Sequence, residues 1–73
     1  MSQWNITIKK SDHVVACHNV AHEITAIKEL VNLGFNPQRV TPDGVYHYHR
    51  PVRRDGDRVL PGLHGEIREI GAR

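Results

Sequence analysis

The sequence predicts a small α+β domain in which one helix packs on a small antiparallel sheet, with elements in the order ββαββ. Two observations lead to this fold class. Several short stretches alternate apolar with polar residues, which is the period of a half-buried strand. Between them, one segment repeats apolar residues at three- and four-residue steps, which is the period of an amphipathic helix. A chain of 73 residues has room for one such domain.

The first two strands are predicted to form a hairpin. Trp4, Ile6 and Ile8 alternate with polar residues, which indicates a strand through Lys10. A second β-rich stretch covers residues 13–18. Because only a short polar loop separates the two stretches, we expect them to pair with each other.

The helix is predicted from Val20 to Leu33. Asn19 precedes it as an expected N-cap, since its side chain can accept a hydrogen bond from an unpaired backbone amide. Gly34 follows the last turn, where the backbone commonly becomes left-handed, and Phe35 is the expected hydrophobic partner of that ending.

Two more strands are predicted over residues 38–41 and 45–50, joined by the turn signal Pro42-Asp43-Gly44. In the second strand, Tyr46 and Tyr48 share one face, and Val45, His47 and His49 share the other. Pro51 then ends this strand or confines it to an edge.

The remainder of the chain differs in composition. Residues 50–73 are rich in arginine, glycine and proline and contain no lysine or aromatic residue. We therefore expect a folded α+β body over residues 1–49 and a largely flexible C-terminal arm over residues 50–73. Within the arm, Ile67 and Ile70 are three residues apart, so a short helical turn could present both of them to a partner.

Composition argues against several classes of protein. The single cysteine, Cys17, cannot form an internal disulfide or a cysteine-rich zinc site, which favours a cytoplasmic location. We expect no signal peptide and no membrane span, because no apolar run approaches the required ~20 residues.

Catalytic motifs are missing, and Cys17 and His18 should face opposite ways on a strand. We expect a buried cysteine and no enzymatic activity.

The spacing of the histidines is compatible with two interpretations, a metal site or an exposed histidine-rich edge. His47 and His49 share a strand face, and His18, His22 or His64 could supply a third metal ligand. The simpler reading is an exposed histidine-rich edge without a metal. We adopt that reading and expect no cofactor.

The arginines and aromatics indicate a binding surface. Arginine makes planar, paired contacts with carboxylate or phosphate. Asp55 and Asp57 lie among the arginines, which fits a protein surface of mixed charge better than a phosphate backbone, although a merely solvated loop is also compatible with this pattern. A strand of tyrosine and histidine leading into arginine would suit a protein-binding hot spot or a base-stacking surface. The predicted partner-binding residues are Tyr46, His47, Tyr48, His49, Arg50, Arg53, Arg54 and Arg58.

The run MSQWNITIKKSDHVVACHNVAHEITAIKELVNLGFNPQRV, with the arginine-rich remainder and the total length, resembles the small RNA-polymerase-binding regulators of lytic phages, of the type found in a Xanthomonas phage. The likeness covers the whole chain. It implies a transcription regulator that binds host RNA polymerase at the β′ N-terminal region and the β flap. Such a protein inhibits initiation by helping to displace σ, and it promotes read-through of intrinsic terminators (transcription antitermination), with nascent RNA nearby.

We therefore expect a monomeric, cytoplasmic protein that acts by binding another macromolecule in the host cell. The alternative is a small RNA- or DNA-binding module that uses the Tyr/His/Arg strand and the arm. The net charge of +2 and the pI near 9.0 are only weakly basic, which is compatible with either function.

Overall fold

The computed structural model describes residues 3–71. They form a five-stranded antiparallel sheet in the order β2-β1-β7-β4-β3, one helix, and a second sheet of two strands, β5 and β6. The elements are β1 (Gln3–Lys10), β2 (His13–Val20), α1 (Glu23–Asn32), β3 (Asn36–Val40), β4 (Tyr46–Arg50), β5 (Arg53–Asp55), β6 (Arg58–Leu60) and β7 (Leu63–Ile70). The predicted α+β class is confirmed, but the sheet has a strand beyond the ββαββ order.

The predicted N-terminal hairpin is present, and its second strand is longer than expected. β2 continues to Val20, which lies opposite Trp4. Asn19 therefore belongs to the strand, where its side chain accepts a hydrogen bond of 2.9 Å from the Asn5 amide. The prediction that Asn19 caps the helix was wrong because ladder pairing extends the strand past it. The N-cap is His22, whose side chain makes no capping hydrogen bond.

The predicted end of the helix is confirmed. Gly34 has φ +91°, a left-handed conformation that costs glycine little. Its amide donates to the carbonyl of Val31 at 3.0 Å, and the Phe35 amide donates to the carbonyl of Leu30 at 3.0 Å. These two bonds are the Schellman pattern. They turn the chain so that Phe35, only 2% exposed, enters the core.

Strands β4 to β7 form one long antiparallel ribbon. Arg50 lies opposite Leu63 and Arg53 lies opposite Leu60, so the pairing keeps one register across the gap between the two sheets. Pro51 and Pro61 lie in that gap, and proline has no backbone N–H to donate to a ladder. The ribbon reverses at Gly56, whose φ is +63°.

The distal part of this ribbon, β5, β6 and their turn (residues 53–60), is here called the arginine hairpin. Its strands pair only with each other. The molecule measures 48 × 22 × 20 Å, and its radius of gyration of 13.0 Å exceeds the about 11 Å of a compact chain of this length. One side of the ribbon, residues 46–55, contains ten residues, and an extended strand of ten residues spans about 33 Å. We therefore attribute the elongation of the molecule to the projecting hairpin.

The C-terminal segment corrects the expected division into a 1–49 body and a flexible 50–73 arm. β7 is the middle strand of the five, between β1 and β4, and Ile67 is 0% exposed. Of the strands in the predicted arm, only the two of the arginine hairpin lie outside the five-stranded sheet. The predicted helical turn is also wrong, because residues 63–70 are a strand. Residues three apart on a strand face opposite ways, so Ile67 is buried while Ile70 is 37% exposed. Residues 1, 2, 72 and 73 lie outside the described residues.

The core lies between the helix and one face of the sheet. Its buried residues are Ile6, Ile8, Ala26, Leu30, Phe35, Tyr48 and Ile67, with Trp4 and Tyr46 partly buried beside them. Gly65 brings β7 close to the helix, because a Cβ there would be 3.1 Å from Leu30 Cδ1. Among residues 3–71, no helix is long and apolar enough to cross a membrane.

Candidate functional site

The pleat of β4 divides the predicted Tyr-His-Tyr-His site between two faces. Tyr46 and Tyr48 face the helix, as part of the core. The hydroxyl of Tyr46 donates to Glu23 Oε1 at 2.8 Å, and Tyr48 is 7% exposed. The hydrogen bond to Glu23, followed by desolvation, raises the pKa of Tyr46 above its ordinary value, and burial raises that of Tyr48. The Tyr48 ring is buried and not available for stacking a base, and the half-buried Tyr46 ring lies beside the Trp4 ring, with 6.1 Å between the two centroids.

His47 and His49 lie on the sheet face away from the helix, here called the open face. The alternation predicted from sequence placed them together, and the structure agrees. On the open face the neighbouring strand β7 presents His64 and Glu66, with Glu66 directly opposite His47 and His64 directly opposite His49. His47 Nδ1 is 3.0 Å from His64 Nε2, and the two ring centroids are 5.2 Å apart.

Glu66 is the centre of the charges on the open face. Its carboxylate is 3.4 Å from Lys9 Nζ, 3.0 Å from the Arg68 guanidinium and 3.5 Å from His64 Nε2, and its side chain is only 12% exposed. Desolvation raises the pKa of Glu66, but the hydrogen bond from Arg68 and the nearby Lys9 ammonium lower it further, so the net pKa is below its ordinary value. Burial lowers the pKa of His64 despite the nearby Glu66 carboxylate.

The open-face cluster of His47, His64 and Glu66 brings one possible metal-ligand atom from each residue within 4.8 Å of the others. His64 is one of the possible third ligands predicted from the sequence. Glu66 was missed, although its spacing of two from His64 would place both on one strand face. The other two histidine candidates lie elsewhere. His18 faces the helix side, 2.6 Å from Glu29 Oε2, and His22 precedes the helix.

Arg50 has a role within the fold. Its guanidinium carbon lies 5.9 Å from the centroid of the Phe35 ring, and Nη2 donates to the carbonyl of Pro61 at 3.3 Å. Its Nε is buried without a hydrogen-bond partner among the described residues. These contacts hold the base of the ribbon against the body, so Arg50 is a poorer candidate for partner binding than the arginines beyond it.

Arg53, Arg54 and Arg58 are all exposed on the arginine hairpin. None of them takes part in the ion pairs found among residues 3–71. Arg58 lies opposite Asp55 in the ladder. Arg53 also leans toward the end of the helix, where its Nη1 would be 3.8 Å from a Cβ on Gly34. The hairpin therefore presents guanidinium groups to solvent beside exposed carboxylates, a surface suited to a partner of mixed charge.

Cys17 lies on the open face and is exposed, so the prediction of a buried cysteine was wrong. Asn5 Nδ2 donates to its sulfur at 3.4 Å, and Thr7 Oγ1 is 3.7 Å away. These two side chains lower the pKa of the thiol from its ordinary value, the amide of Asn5 being the larger cause. The neighbouring His18 faces the other way, as predicted, and cannot serve as its base.

Comparison with protein-family models, with curated proteins and with solved structures finds no match to this chain.

Proposed function

We propose that the protein is a phage-encoded transcription regulator that binds host RNA polymerase and has no enzymatic activity of its own. The observation that supports a binding role most strongly is the arginine hairpin. It projects from the body, every residue from 53 to 59 is exposed, and Arg53, Arg54 and Arg58 have no intramolecular ion pair among the described residues. A hairpin of this kind contributes little to the core, which favours an intermolecular role for its charged side chains.

The identity of the partner comes from the resemblance to small polymerase-binding regulators of lytic phages. In this proposal the protein contacts the β′ N-terminal region and the β flap. It inhibits initiation by helping to displace σ, and it promotes read-through of intrinsic terminators. A molecule 48 Å long with a body at one end and a charged hairpin at the other is suited to contact two subunits at once. We further propose that it acts as a monomer in the host cytoplasm.

The alternative of an independent nucleic-acid-binding module has less support. Its stacking surface was to be Tyr46 and Tyr48, and both are turned toward the helix. The remaining basic groups are interrupted by Asp55 and Asp57, which would repel phosphate. An open-face contact with nearby nascent RNA remains compatible with polymerase binding, since Lys9, Arg39 and Arg68 are distributed over that face.

Capture of the core polymerase on the immobilised protein tests the proposal. We expect the wild-type protein to retain the Xanthomonas core enzyme, and the double variant Arg53→Ala/Arg54→Ala to retain much less. The matched control is Lys10→Ala/Lys28→Ala, which removes the same charge from exposed positions outside the hairpin. Failure of the wild-type protein to retain core enzyme would refute the proposal.

Two further assays test the effects on initiation and termination, and the alternative of nucleic-acid binding. In transcription reactions with purified host polymerase, we expect fewer promoter-initiated transcripts and a larger fraction of full-length RNA beyond an intrinsic terminator. For the alternative, binding to free labelled RNA or DNA should weaken steeply with salt if phosphates dominate. Micromolar, salt-sensitive binding to free nucleic acid together with no capture of polymerase would favour the alternative.

A further inference from the structure

The cluster of His47, His64 and Glu66 is built into the middle of the sheet. His47 and Glu66 are directly opposite each other on neighbouring strands, and His64 precedes Glu66 by two residues on the same face. β7 is paired on both sides and β4 is paired with β7 and β3, so the backbone positions of all three residues are fixed by hydrogen-bonded ladders. Ligands on a paired sheet are held more rigidly than ligands on loops.

We propose that His47, His64 and Glu66 form a binding site for a divalent transition-metal ion, Zn²⁺ in the first instance. Two imidazoles and one carboxylate are a donor set that zinc accepts, with further positions left for water or for a ligand from a partner. This inference does not depend on polymerase binding, because it uses side chains of the open face and not the arginine hairpin.

The spacing of the donor atoms fits a metal ion. Ligand atoms bound at 2.0–2.1 Å to a tetrahedral ion lie about 3.3 Å from one another. The distance from His47 Nδ1 to His64 Nε2 is 3.0 Å, and the distance from His64 Nε2 to Glu66 Oε2 is 3.5 Å. These two separations bracket the ideal value, and the third, between His47 and the Glu66 carboxylate, is within 4.8 Å, so side-chain rotations must bring these two donors onto the same ion.

The two oxygens of Glu66 have different neighbours. Arg68 contacts Oε1, whereas Lys9 and His64 contact Oε2. A metal bound at Oε2 would displace the ammonium of Lys9, whose side chain is 37% exposed and can turn into solvent. Arg68 can remain on Oε1, where it would orient the carboxylate as supporting hydrogen bonds do in metal sites.

The surrounding charges limit the affinity. Lys9 and Arg68 lie beside Glu66, and Arg39 lies opposite His47 on β3, so three positive groups face the incoming cation. His49 lies opposite His64 on the same face. We therefore expect a dissociation constant for Zn²⁺ on the order of 1 µM, weaker than that of a dedicated structural zinc site.

Isothermal titration of the full chain with Zn²⁺ tests the proposal, with native mass spectrometry to count bound ions. One ion per chain is expected. His47→Ala and Glu66→Gln should each weaken binding by at least about tenfold, because each removes a ligand. His13→Ala should leave binding unchanged, since His13 is exposed at the start of β2, outside the cluster.

The variant Lys9→Met distinguishes the proposed site from nonspecific binding of metal ions to histidines. Removal of the competing ammonium from Glu66 should tighten Zn²⁺ binding several-fold, while Lys28→Met, on the helix, should not change it. The proposal is overturned if Zn²⁺ binds more weakly than about 100 µM, or if His13→Ala reduces binding as much as His47→Ala. Far-ultraviolet circular dichroism of each variant, matched to wild type, ensures that a loss reports on the site and not on the fold.

Discussion

Replacement of Ile67 by alanine tests whether β7 is part of the core. Ile67 is 0% exposed and lies opposite Ile6, which is 1% exposed, and opposite Tyr46 on the other side. The change removes three buried carbon atoms, worth about 2.4 kcal/mol by transfer, and leaves a cavity that increases the loss. We expect the free energy of unfolding to fall by about 3–4 kcal/mol, a large part of the about 4–11 kcal/mol available to a chain of this length.

Urea unfolding followed by circular dichroism and Trp4 fluorescence measures this loss. The matched control is Ile70→Ala, the same truncation on the same strand at a residue 37% exposed, which should cost less than about 1 kcal/mol. If Ile67→Ala leaves too little folded protein, Ile67→Val should still show a loss of about 0.5–1.5 kcal/mol. A flexible tail would give no loss at either residue, and a short helical turn presenting both would give equal losses. Either result would refute the placement of β7.

Three further predictions concern local contacts. Gly34→Ala should lower the free energy of unfolding by about 1–2 kcal/mol in urea titrations, because alanine must adopt φ +91°, although its Cβ would make only ordinary van der Waals contact, 3.7 Å from Arg50 Cδ. The raised pKa of Tyr46 means that its contact with Glu23 stabilises the fold below pH ~10 and is lost as pH rises further. Tyr46→Phe should therefore flatten the alkaline part of the stability curve measured by urea unfolding. Exposed Cys17 should react with a thiol reagent in the native protein, and Asn5→Ala should slow that reaction near pH 8 by reducing the thiolate fraction; an unchanged rate would contradict this.

Local patterns in the sequence were sufficient to predict the elements whose contacts join residues near each other in the chain. The helix ending at Gly34 and the alternation of Tyr46 with His47 depend on contacts within a few residues, and both are found. The start of the helix was placed too early, because pairing of Val20 with Trp4 extends β2 through Asn19. That pairing depends on residues far apart in sequence, which the helix-cap pattern does not include.

β7 was missed for a specific physical reason. Its inward positions are Leu63, Gly65 and Ile67, and the glycine in the middle shows no apolar side chain to complete an alternating pattern. In the fold that space is occupied by Leu30 and Phe35, whose side-chain atoms would lie 3.1–3.3 Å from a Cβ on Gly65. The apolar group that covers this strand therefore comes from the helix and the segment after it.

The same omission hid the open-face cluster. Without β7 beside β4, the sequence did not show that His64 and Glu66 lie next to His47 on one sheet face. Arg50 belongs to the same arginine-rich composition, but its guanidinium lies over the Phe35 ring and donates to the Pro61 carbonyl, two contacts that composition does not reveal. The predicted binding residues that remain exposed on the arginine hairpin are Arg53, Arg54 and Arg58.

Polymerase binding through the arginine hairpin is tested by measuring the affinity of the fluorescently labelled protein for host core polymerase, with and without the hairpin arginines. Arginine is enriched among interface hot spots, whose truncation costs about 2 kcal/mol or more. We therefore predict that Arg53→Ala/Arg54→Ala weakens binding at least about tenfold, while Lys10→Ala/Lys28→Ala changes it little and both variants keep the wild-type unfolding midpoint. Equal affinity of the wild-type protein and the arginine variant, or equal losses in the two double variants, would contradict a polymerase contact made through the arginine hairpin.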